Sequence, residues 1–110
     1  MAFDDRLAQR IRDVLAEVPD VSERRMFGGL AFLVGGHMAC GIVASDLMLR
    51  LGDAGADTAL DRPHVRPMDF TGRPMRTMVY VAAEGIVADR ALRQGVRAAV
   101  EHVRALPPKT

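Results

Sequence analysis

Between Met26 and Leu51 the chain carries only two charged residues, Asp46 and Arg50. Turn signals at Gly35-Gly36 and Ser45-Asp46 cut this apolar run into pieces too short for helices. A Gly-Gly pair supplies the positive φ that a tight type I′ or II′ hairpin needs. The run therefore reads as three short antiparallel strands, at about 25–34, 37–45 and 47–52. Alternation assigns their faces. Leu30, Phe32 and Val34 share one side of the first strand, and Phe27, Ala31 and Leu33 share the other. Met38, Cys40 and Ile42 oppose Ala39 and Val43. A sheet with one wet face alternates apolar with polar residues; these strands are apolar on both faces, and a short chain has helices to cover only one. Met26, Met38, Met48, Met68, Met75 and Met78 add to the excess. Methionine suits surfaces that adapt to a partner, so the second face is expected to be a homodimer or partner-binding surface.

The flanking segments are amphipathic. Phe3, Leu7, Ile11, Val14, Leu15 and Val18 form one apolar stripe of a helix over 3–18, which Pro19-Asp20 ends. Gly52-Asp53 opens a short helical piece to about Leu60, with Asp53 as its expected N-cap and Pro63 as its stop. Strands at about 64–70 and 75–83 follow, joined by Thr71-Gly72-Arg73-Pro74. Pro67 and Pro74 cannot donate to a ladder, which puts them at edges or strand ends. A last helix over 88–106 carries Leu92, Val96, Val100 and Val103 on one stripe. The expected fold is α+β and two-layered: a five-stranded antiparallel sheet with helices on one face, in the order α-β3-α-β2-α. It is one domain over 1–106, with 107–110 as a frayed tail.

Composition narrows the function classes. A net charge of +1 argues against a polybasic coat for nucleic acid or membrane. No run is long and apolar enough to span a bilayer, and the acidic N-terminus is no signal peptide, so a cytoplasmic protein is expected. Cys40 is the only cysteine, which excludes an internal disulfide and a four-cysteine zinc site. Nothing cationic is adjacent to lower its pKa. His37 and Cys40, three apart on a strand, are expected on opposite faces and make a poor metal pair. His64 and His102 read as surface histidines. Neither Ser22 nor Ser45 lies in a nucleophile-elbow pattern, and Asp69 pairs more readily with an arginine than with Tyr80 as acid and base. Gly28-Gly29 lead into a strand, not a phosphate-binding helix, and mark a bulge or a close backbone approach. No catalytic residue, cofactor or metal is expected.

The cations are fourteen arginines and Lys109. Arg62, Arg66, Arg73 and Arg76 surround Asp69 in the second hairpin, and Arg24, Arg25 and Arg50 approach them if the sheet closes. Arginine suits carboxylate and phosphate. Arg24, Arg25, Arg66, Arg73 and Arg76 are therefore the expected partner-binding residues. Direct nucleic-acid binding through them, or a small-ligand or enzyme site near Arg24, Arg25 and Asp69, are the alternatives.

Several blocks together resemble a known family. These are Met26-Phe27-Gly28-Gly29-Leu30, Met38-Ala39-Cys40-Gly41, Asp46-Leu47-Met48-Leu49-Arg50, and the stretch from Arg66 through Pro67-Met68-Asp69-Phe70-Thr71-Gly72 to Met75. Over nearly the whole chain the sequence is similar to the TfoX/Sxy family, N-terminal domain. The resemblance implies a fold like that of secretion chaperones, in the same element order as above. In this reading Met26, Phe27, Gly28, Gly29, Gly35, Gly36, Met68, Asp69, Phe70 and Gly72 form its structural motif. Founding members regulate natural competence with a cyclic-AMP receptor protein and carry a second, helical C-terminal domain. The resemblance implies a short stand-alone member without it, acting as a non-catalytic regulatory and protein-interaction module associated with transcription. Relatives often carry a tryptophan near the middle of the last helix, where this chain has Gln94-Gly95-Val96.

Overall fold

A computed structural model describes residues 3–26, 28–70 and 73–107, and within that range the side chains of 69, 70 and 73–75 are not described. Phe27, Gly72 and the tail Pro108–Thr110 therefore lie outside the described residues, as do the side chains of Asp69, Phe70, Arg73 and Met75.

The chain opens with α1 (Asp5–Val14), started by an Asp4 cap whose carboxylate accepts from the Arg6 and Leu7 amides. Four strands follow: β1 (Val21–Met26), β2 (Gly29–Val34), β3 (His37–Val43) and β4 (Asp46–Arg50). Next come α2 (Gly52–Ala59), β5 (Val65–Phe70), β6 (Arg73–Val81), a 3-10 turn at Ala83–Ile86 and α3 (Asp89–Arg104). The strands form one antiparallel sheet in the order β1-β2-β3-β4-β6-β5.

The sheet has six strands, not five. The expected first strand at 25–34 is a hairpin: β1 and β2 pair up to Met26 opposite Gly29, and Gly28 holds φ 71°. β1 is an edge strand, and its central Ser22, Glu23, Arg24 and Arg25 are all exposed. It shows no alternation because only Val21, at one end, packs against the helix-side core. Gly35 and Gly36 hold φ 58° and 85°, the left-handed pair expected of the hairpin turn. The next turn falls one residue earlier than expected: Val43 pairs with Asp46, and Ala44 takes φ 54°. The α2 cap also differs. Leu51 occupies the N-cap, and Asp53 lies in the first turn, where its charge complements the helix dipole. Pro67 sits on the edge strand β5, and Pro74 lies near the start of β6.

All three helices cover one face. There Leu7, Ile11, Phe32, Ile42, Leu47, Val79, Leu92 and Val96 belong to one buried cluster. Each fully buried side chain of this size contributes roughly 1.5–3 kcal/mol relative to exposure. The opposite face has its own cluster: Met48, Met68 and Met78 are buried, with Met38, Val43 and Tyr80 packed against them. Gly41 lies beneath Met48, whose Cε stands 2.6 Å from where a Cβ would be. The expected two-sided apolar sheet is therefore present, and the chain itself encloses the centre of its second face. A register shift between Phe32 and Leu33 corrects the face assignment of β3. Met38, opposite Leu33, belongs to the methionine side, and Cys40, opposite Phe32, belongs to the helix side.

Candidate interaction site

The expected arginine cluster does not converge. Arg24 and Arg25 alternate across β1; the first falls on the methionine side, and the second stacks its guanidinium over Phe3, 5.7 Å from the ring centre. Arg66 is on β5, at the other edge, which is five strand spacings or roughly 24 Å from β1. Arg66 is also engaged: it pairs with Asp46 at 2.5 Å and lies 4.6 Å over the Tyr80 ring. Arg76 is exposed on β6. Arg50, half-buried, is opposite Met78 on the methionine side.

Burial pushes the Cys40 thiol up to about 12, so it is no nucleophile at neutral pH. The β3 bulge puts His37 and Cys40 on the same side of the sheet, contrary to expectation, but His37 Nε2 donates to the Pro107 carbonyl at 2.7 Å. His64 is exposed, whereas the half-buried His102 ring packs against Gly52. Among the described residues no three His, Cys, Asp or Glu side chains gather as metal ligands, and no helix is long and apolar enough to cross a membrane.

Two grooves lie on the helix layer, and α3 separates them. One groove, of about 750 Å³, runs between α1 and α3. Arg93, Arg97 and Arg104 line its α3 wall together with Asp89 and Glu101, and Arg10 and Asp13 of α1 with Glu17 of the turn after it line the other. Arg90, Arg93, Arg97 and Arg104 are all exposed and fall within about 60° of arc at 100° per residue. Among the described residues none of the four has an ion pair, whereas Arg10 at the end of the groove is held by Asp89 at 3.1 Å and by the Ile86 carbonyl at 2.7 Å. This ridge was missed in the sequence because its spacings of three, four and seven flank the apolar stripe of the same helix, and charge beside such a stripe is common to surface helices. The second groove, of about 570 Å³, lies between α2 and α3 and is mostly apolar.

The fold is that of an α+β domain with one six-stranded antiparallel sheet and its helices on one face. The chain belongs to the TfoX N-terminal domain family, whose profile matches residues 13–103. The crystal structure of Deinococcus radiodurans protein DR2400, with a DUF419 domain, is similar to it. The TM-score is 0.67 at 21% identity, over 96% of this chain and 80% of that one, a likeness of fold. No protein of curated function matches.

Proposed function

We propose that this domain is a non-catalytic regulatory module of the competence-regulator type that works by holding a partner protein along α3. The observation that carries this reading is the ridge of Arg90, Arg93, Arg97 and Arg104, exposed and without an ion pair among the described residues. Arginine side chains placed this way match carboxylates through paired hydrogen bonds. The facing side adds Asp13 and Glu17, its Arg10 being held by Asp89, and Glu101 stands beside the arginines on α3 itself. A continuous polyanion is repelled there, whereas a protein segment with acidic residues on one side and basic residues on the other fits both walls. That favours protein over nucleic acid, and α3 over the β5–β6 hairpin, whose Arg66 is engaged within the chain.

The test is a nuclease-treated pull-down with the wild type, Arg93→Glu/Arg97→Glu and Arg66→Ala/Arg76→Ala, each checked for native circular dichroism. The expected outcome is a partner kept by the wild type and the hairpin variant and lost by the α3 variant. Loss with the hairpin variant alone would move the contact to the sheet. Duplex binding that weakens steeply with salt would favour nucleic acid.

A further inference from the structure

The groove between α2 and α3 has a different character and does not depend on the reading above. The two helices run antiparallel. Gly52, at the start of α2, abuts the His102 ring near the end of α3, and Arg62, just past α2, lines the groove together with Gly85 and Ile86, just ahead of α3. Packed helices close to 8–10 Å by interlocking side chains. Here the facing sides are too small to interlock: Ala54, Gly55 and Ala59 on α2, and Ala91, Gly95 and Ala98 on α3. Gly95 is in the middle of α3, where alanine is the better helix former. A Cβ there would stand 2.9 Å from Leu49 Cδ1, so its smallness serves the close approach of α3 to the sheet. The space left is about 570 Å³, within the range of small-ligand sites, and Leu49 and Val81 are among its apolar lining.

Charge is confined to the two ends. Arg62 is exposed at the α2 C-terminal end and has no ion pair among the described residues; Glu101 stands at the other end. Thr58 and Gln94 are the uncharged polar side chains of the lining. An elongated apolar molecule with an anionic head therefore has one favoured orientation, with its head on Arg62 and its tail between the helices. A guanidinium fork matches a carboxylate better than it matches a hydroxyl. We propose that the α2–α3 groove binds a small monocarboxylate with an unbranched or aromatic apolar body, of the size of a medium-chain fatty acid.

Titration with decanoate below its micelle concentration, followed by calorimetry, tests this, with 1-decanol and decylamine as comparison probes. Saturable one-to-one binding of decanoate is expected. Arg62→Ala should weaken decanoate about tenfold or more and leave 1-decanol unchanged. Gly95→Leu should abolish both by filling the groove. Ala98→Leu, at an exposed position on the same wall, serves the same purpose if Gly95→Leu fails to fold. The proposal is overturned if decanoate does not bind, if decylamine binds as tightly, if Arg62→Ala changes nothing, or if a folded groove-filling variant binds as the wild type does.

Discussion

Gly28 and Gly29 are neighbours under different constraints. Gly28 holds φ 71° and has open space where a Cβ would go. Gly28→Ala should cost only the left-handed backbone term, about 1–2 kcal/mol. A Cβ on Gly29 would stand 2.0 Å from the Ile42 carbonyl oxygen, a backbone atom that cannot rotate away. Gly29→Ala should therefore cost about 3 kcal/mol, as overpacking does when neighbours cannot yield. Urea denaturation of the two variants checks the order, and equal losses would contradict it. The Gly-Gly pair was visible in the sequence as a bulge or a close backbone approach, without saying which glycine takes which. The hairpin was not, because whether a glycine bends or reverses a strand depends on pairing with residues elsewhere. Cys40 offers a second check at this scale. Its thiol, fully buried and with its pKa pushed to about 12, should react with an aromatic disulfide reagent only as fast as the protein unfolds. Rapid labelling of the native protein would place it at the surface instead.

Among the elements, β1 depends on a contact from another layer. Arg12 of α1 donates to both oxygens of Glu23, at 2.7 and 2.8 Å, and this holds the Glu23 carboxyl below the usual carboxylate range. A lowered folded pKa means stability that is fully present above the unfolded pKa and lost as pH falls through the folded value. Glu23→Gln should remove that part of the acid dependence and leave the rest. Both side chains are more than a third exposed, so the increment is screened to no more than about 1 kcal/mol. Chemical denaturation of both proteins at neutral pH and below pH 4 measures it, and identical pH profiles would show that the pair contributes nothing. The helices and the central strands follow from their apolar residues, because each helix buries one stripe and β2, β3 and β4 bury both faces between their turns. β1 escapes that logic, since its central Ser22-Glu23-Arg24-Arg25 is exposed on both faces and carries no apolar alternation. The α3 arginines were present in the sequence as a spacing, but their meaning needed the α1 wall opposite them.

At the scale of the molecule, one sheet supports two apolar layers. Adjacent residues divide between them: Leu49 joins the helix-side core and Met48 the methionine cluster, and both rest on the same β4 backbone. Neither layer can be lost while the strand it shares with the other stays paired, so the domain should unfold as a single unit. The chain contains its own probes. Tyr80 is the sole tyrosine, no tryptophan competes with it, and it packs on the methionine side. Tyrosine emission therefore reports the methionine layer, and ellipticity at 222 nm reports the helix layer. In urea the two transitions should coincide. Met68→Ala, which empties a buried site on the face opposite the helices, should shift both midpoints together by the equivalent of about 2–4 kcal/mol. If the tyrosine signal moved first while the ellipticity held, the methionine layer would open by itself. The second face of the sheet would then become available to a partner, the role its apolar sequence first suggested.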